Sequence, residues 1–155
     1  MDALFNRILE AKRKRFLSYK PVFELHHSVS ESGLASIEAR LGCSLHVSLR
    51  SWLLQVGYGD FNEELALREA WFSVVDRGEL KGHVIFGQDI LGNFYSISPV
   101  NGDVHYLCRS TPEYGHLAKD FSAFLEELER RSFKLEEWTD SIKVSPYNWA
   151  GVASA

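Results

Sequence analysis

Two short stretches hold the residues whose types and spacing could do chemistry. In the first, Tyr58-Gly59-Asp60-Phe61-Asn62-Glu63-Glu64, three carboxylates crowd among aromatic rings in a segment loosened by Gly57 and Gly59. The second, Asp89-Ile90-Leu91-Gly92-Asn93, sets an acid and an amide in hairpin-turn chemistry. Paired carboxylates can act as general acid and base, but glycoside chemistry needs two of them flanking one cleft. Adjacent acids such as Glu63-Glu64, Glu126-Glu127 and Glu136-Glu137 point in different directions and read first as solvated faces. Asp60, Glu63 and Glu64 beside Tyr58 and Phe61 suit recognition better: acids next to aromatics make a patch for a cationic partner. For Asn93, a left-handed turn conformation is explanation enough.

Other reactive groups form no constellation. His105 and Cys108 are three apart on an expected strand, which puts them on opposite faces. His26 and His27 are adjacent, and no second pair has ligand spacing, so no metal site and no cofactor are expected. Neither Cys43 nor Cys108 has the local signature of an activated nucleophile, and no Gly-x-Ser-x-Gly or phosphate-cradling loop occurs. Both cysteines lie among apolar neighbours and read as free thiols of a reducing compartment.

The elements that must position these stretches follow from periodicity and punctuation. Helix spacing over Asp2–Leu17, with Leu4, Ile8 and Ala11 on one side and Phe5, Leu9 and Phe16 extending it, predicts a first helix. The run Lys12-Arg13-Lys14-Arg15 then reads either as a basic arm for nucleic acid or anionic lipid, or as a solvated helix end favoured by the dipole. The second reading is preferred, because such short charge runs are common on soluble helices. An extended piece over Val22–His26 follows. A helix capped by Ser30 and closed by Gly42 buries Leu34, Ala35, Ile37 and Leu41, and a further helix over Val47–Val56 buries Leu49, Trp52 and Leu53. Leu65–Trp71 reads as a short helix or irregular turn, and the whole of 57–72 as surface. Val84–Phe86, Phe94–Ile97 and Val104–Cys108 form a meander through the Asp89–Asn93 and Asn101-Gly102 turns, with one face polar and one buried. Asp120 caps a last helix burying Phe121, Phe124, Leu125 and Leu128. Trp52, Phe86, Phe124 and Leu128 read as core. The tail beyond Trp138, with Pro146 and Gly151, reads as loosely docked, although Tyr147 and Trp149 could pack.

Bulk numbers bound the function. The chain has 155 residues, 45% hydrophobic and 25% charged, enough for one globular domain with a sizeable core. Net charge is −4, unevenly spread: the first 20 residues hold six bases and two acids, the remaining 135 hold 11 bases and 19 acids. An acidic body disfavours direct binding of nucleic acid and suits a basic protein partner. No apolar run is long enough for a membrane span, and Met1–Phe16 is no secretory signal, so a cytoplasmic protein without membrane partners is expected.

The ordered motifs resemble the SUKH superfamily, which includes Smi/Knr-like fungal cell-wall regulators and many bacterial immunity proteins. A glutamate-containing helix ending in Leu-Gly is matched by Glu38, Leu41 and Gly42; the following leucine by Leu45, with His46 where proline is usual. The glycine-rich loop is reduced to Gly57-Tyr58-Gly59. The strand, Asp-x-x-Gly-Asn hairpin and strand are matched by Asp89, Gly92, Asn93, Gly102 and Val104, with Ser98 where many members have aspartate. Asp120-Phe121 and Phe124-Leu125 resemble the closing helix. The resemblance implies an α+β fold, a mainly antiparallel sheet (meander) with helices packed around it. The resemblance covers about Ser30 to Leu128, and the chain is read with it as one domain over 1–155, with a core of about 22–140, a basic amino-terminal helix over 1–20 and a loosely docked tail over 141–155. It further implies no catalysis, and a bacterial protein that binds and neutralises a cognate toxin of a polymorphic or contact-dependent system. That toxin is expected to be basic, a nuclease being one case. Tyr58, Asp60, Phe61, Glu63, Glu64, Asp89 and Asn93 are the expected contact residues. The alternative is a regulatory or scaffold interaction module of the Smi/Knr type.

Overall fold

The structure is a computed structural model and describes residues 2–147. Helix α1, Ala3–Glu10, begins at Asp2, whose carboxylate accepts the N–H of Leu4 at 2.8 Å. Strands β1, Lys12–Arg15, and β2, Ser18–Pro21, form a separate two-stranded hairpin. Strand β3, Phe23–His27, leads to helices α2, Glu31–Leu41, and α3, Val47–Gln55. Then come β4, Tyr58–Phe61, β5, Leu65–Ala66, a single 3-10 turn over Glu69–Trp71, and β6, Ser73–Val74. The meander is β7, Val84–Asp89, β8, Phe94–Ile97, and β9, Val104–Cys108, continued by β10, Glu113–Ala118. Helices α4, Phe121–Arg130, and α5, Glu136–Ser141, and strand β11, Ser145–Pro146, close the described chain.

Among the described residues the main sheet has nine strands, in the order β11-β10-β9-β8-β7-β5-β4-β3, with β6 also against β7. Every neighbouring pair is antiparallel. This is the expected α+β architecture, with helices on a mainly antiparallel sheet.

Local signals explain most boundaries. Ser30 Oγ accepts the N–H of Gly33 at 3.0 Å, and Gly42 closes α2 at φ 76°. Asp120 Oδ1 accepts the N–H of Ala123 at 2.7 Å and starts α4. Glu38 accepts the N–H of Leu45 at 2.6 Å and pairs with Arg50 at 3.2 Å, fixing the turn between α2 and α3. Ser98 Oγ accepts the N–H groups of Val100 and Asn101 at 3.3 and 3.2 Å, doing with a hydroxyl what an aspartate does in such a turn.

The main core centres on Trp52. Its ring meets Phe5, Phe23, Phe61 and Phe121 at 5.0, 5.1, 5.2 and 6.3 Å, and its N–H donates to Gly57 O at 3.0 Å. Truncating a side chain packed this way costs about 3–5 kcal/mol. Phe86, Phe124 and Leu128 are buried in the same core, as expected. Gly59 is held by close approach: a Cβ there would lie 2.2 Å from Glu24 O and 2.6 Å from the Phe23 ring.

Several expectations are corrected. The first helix stops at Glu10, and Lys12–Arg15 is a strand. Four consecutive cations repel along a helix end, whereas a strand sends alternate ones to opposite faces, and Arg13 and Arg15 there reach the carboxylate of Glu63. Phe16 therefore sits at a hairpin apex, 93% exposed, not on a helix face. Ala35 is exposed on α2, while Leu34 and Ile37 are buried. The 57–72 segment contains two strands, and Tyr58, Phe61 and Phe72 are each 1% exposed: its surface reading holds for Glu63 and fails for all three rings and for Leu65 and Leu67. The sheet face expected to be polar carries a second small core of Val75, Leu80, Ile85, Leu107 and Tyr147. Tyr147, which the sequence left able to pack, does so: it is 4% exposed and its hydroxyl donates to Arg77 O. Trp149 and Gly151 lie outside the described residues.

Candidate functional site

The register of β5 on β7 pairs Leu65 with Asp89 and Ala66 with Gln88, which brings the two acidic stretches side by side. Two adjoining hollows result, of about 250 and 180 Å³, sharing Glu64, Asp89 and Ile90. The first is bordered by Asp60, Glu63, Arg68 and Trp71. The second runs between the Ile90-Leu91 loop and α5, bordered by Asn93, Tyr106, Leu135, Glu136 and Asp140. Both are smaller than the 300–1,000 Å³ usual for small-molecule sites. They suit inserted side chains of a larger partner.

Each expected contact residue has a definite place. Asp60 is clamped by Arg68, at 3.0 and 3.3 Å, and touched by His26 Nε2 at 3.0 Å. Glu63 stands at the β4–β5 turn, where Asn62 and Glu63 both take left-handed φ of 54° and 57°. Its carboxylate pairs with Arg13 at 2.7 Å and Arg15 at 2.6 Å, which hold it below the usual carboxylate range, hydrogen bonding from Arg15 leading. Glu64 accepts the N–H of Leu135 at 2.9 Å, yet burial pushes its carboxyl up. Asp89 Oδ1 accepts the N–H groups of Leu91 and Asn93, each at 3.0 Å, and Oδ2 accepts the Tyr95 hydroxyl at 2.9 Å. Asn93 is buried, and its Oδ1 accepts the N–H of Arg109 at 3.0 Å. Gly92, at φ 82°, takes the left-handed position that Asn93 was expected to fill. Tyr58 and Phe61 are core and offer no surface.

All four acids singled out in the sequence thus have internal partners, and their work is to build the hollows. The Asp89 web presents Ile90 and Leu91, 73% and 72% exposed. The free charge comes from Glu136 and Asp140 on α5, both exposed and without an ion pair among the described residues. The sequence reading missed these four. A short helix of six residues shows no periodicity, and Ile90-Leu91 reads as turn filler until the turn's hydrogen bonds show which way it faces. Arg68, over the Trp71 ring at 5.7 Å, was also missed.

Among the described residues no group of three or more His, Cys, Asp or Glu could hold a metal ion. Both cysteines are free, and burial, followed by the charge of Glu38, pushes the Cys43 thiol up. No helix among the described residues is long and apolar enough to cross a membrane.

The sequence model of the SMI1 / KNR4 family (SUKH-1) matches residues 28–127, well over half of the chain. No curated protein and no solved structure matches it.

Proposed function

Because the chain belongs to the SMI1 / KNR4 family (SUKH-1), we propose that it is a non-enzymatic immunity protein that binds a cognate toxin in the cytoplasm and covers its active face. Members of this family are generally binding and immunity proteins. The observation that carries the reading is the paired hollow at Glu64 and Asp89. It joins two exposed aliphatic side chains, Ile90 and Leu91, to the carboxylates of Glu136 and Asp140, which have no ion pair among the described residues. An apolar centre with an acidic rim fits a basic protein surface. A nuclease is the sharpest case, because its phosphate-binding face must be cationic.

Tagged protein is used as bait in native-host extract at low and high salt, with captured chains identified by mass spectrometry and the dominant one assayed for nuclease activity. One stoichiometric basic partner, released by salt and inhibited by the bait, is expected. Glu136→Lys with Asp140→Lys should weaken that complex without lowering Tm. Several neutral, salt-insensitive partners would sink the immunity reading and favour the regulatory or scaffold module.

A further inference from the structure

The β1–β2 hairpin is a prong whose chemistry the candidate site does not use. Cross-strand partners share a face, so Arg13 with Lys20 and Arg15 with Ser18 lie on one side, and Lys12 with Pro21 and Lys14 with Tyr19 on the other. The first side is tied to the body: Arg13 reaches Glu24, Glu63 and the Asn62 side chain, and Arg15 reaches Glu63. Lys12, Lys14 and Lys20 are exposed and have no carboxylate partner among the described residues. At the apex Phe16 and Leu17 are 93% and 88% exposed, with Tyr19 67% exposed just behind them. The dipole argument that makes such a charge run ordinary does not apply, since the helix has ended.

We propose that this prong docks on an anionic lipid surface, Phe16 and Leu17 entering the headgroup–acyl boundary while the three lysines meet acidic headgroups. The layering carries it: two apolar apex residues, then an aromatic with a polar tip, then cations on flexible stems that can lie along the interface. The hairpin holds five bases and no acid over 12–21, and the carboxylates nearest to it are already occupied by Arg13 and Arg15. Single-stranded nucleic acid is the less suited occupant: Phe16 and Tyr19 have faces that stack bases, but Leu17 at the apex beside Phe16 is aliphatic and suits an acyl boundary rather than a base. The inference stands apart from the toxin-binding reading.

Co-sedimentation of the full chain with phosphatidylcholine vesicles, with and without phosphatidylglycerol, tests it, alongside a single-stranded oligonucleotide. Binding to the anionic vesicles alone, weakened by salt, is expected. Lys12→Gln, Lys14→Gln and Lys20→Gln should each reduce it about fivefold. Phe16→Asp with Leu17→Asp should abolish it while leaving Tm unchanged, which shows that the fold survives. Failure to sediment with anionic vesicles, equal binding by the apex variant, or binding to the oligonucleotide in preference to vesicles would each overturn it.

Discussion

Two hairpins in this molecule lift two adjacent apolar side chains into water, and they are built in opposite ways. The Asp89–Asn93 turn raises Ile90 and Leu91 from the middle of the sheet, and one carboxylate organises it through two backbone N–H groups and a buried tyrosine hydroxyl. The β1–β2 hairpin raises Phe16 and Leu17 from a two-stranded ribbon outside the main sheet. It is moored largely by Arg13 and Arg15 to Glu63 and Glu24. Hydrogen bonds to a single carboxylate hold the first; ion pairs to the half-exposed carboxylates of Glu63 and Glu24 hold the second. The first should therefore behave as a rigid platform beside acids, the second as a cationic arm whose mooring depends on solvent conditions.

The largest expected effect breaks the platform. Asp89→Ala strips the acceptors from two N–H groups and leaves the hydroxyl of Tyr95, a fully buried residue, without its partner. A hydrogen bond to a charged acceptor of this kind is worth about 1.5–3 kcal/mol. Urea unfolding should show that loss, with Asp89→Asn recovering part of it through the amide oxygen. If Asp89→Ala costs no more than Arg13→Ala with Arg15→Ala, the two hairpins do not differ as argued.

This difference also explains what the sequence could disclose. Asp-x-x-Gly-Asn, Asn-Gly, Ser30, Gly42 and Asp120 are local chemistry, satisfied within a few residues, and they located α2, α4 and the meander. The ribbon at 12–21 pairs with itself, but its mooring, like the strand at 58–61, depends on partners far along the chain. Asn62, for example, donates to Phe133 O at 3.0 Å and accepts from Arg13 at 2.6 Å. A run of lysine and arginine has no apolar alternation to betray a strand. The acidic stretches were found, but their partners were not. Hence the roles of Asp60, Glu63 and Glu64 as ends of internal clamps were invisible, and so were Tyr58 and Phe61 as core.

Acid should act on the platform and spare the arm's own strands, which contain no histidine. His105 on β9, next to the strand carrying the platform, stacks between His83 and His116 at 5.4 and 5.2 Å, with Asp103 held by His116 at 3.1 Å. Burial, then the neighbouring His83 and His116, pull His105 down to about 4 against an opposing pull from Asp103. The Nδ1 atoms of His83 and His105 and the Ser96 hydroxyl are buried without a hydrogen-bond partner among the described residues. The unfolded chain binds this proton near 6.5 and the folded chain only near 4, so stability present above 6.5 falls as pH drops toward 4 and levels off below. Glu64, raised by burial, works in the opposite sense. Thermal melts across that range should show the fall, and His105→Phe should flatten it. An unchanged slope in that variant would remove the histidine stack from the comparison.

The smallest effect on stability falls on the arm, where the two mechanisms separate most clearly. Ion pairs to half-exposed carboxylates are screened by salt and contribute modestly to global stability. Arg13→Ala with Arg15→Ala should therefore lower Tm less than Asp89→Ala, with the mostly buried Arg13 accounting for most of the loss, and should speed amide exchange through Lys12–Pro21. High salt should do the same to the unmodified protein. Neither treatment should alter exchange at Leu91 and Asn93, whose N–H groups are held by Asp89. Faster exchange at both hairpins together would mean that the arm and the platform open as one unit through Glu63 and Glu64, and that a partner bound at either would be felt at the other.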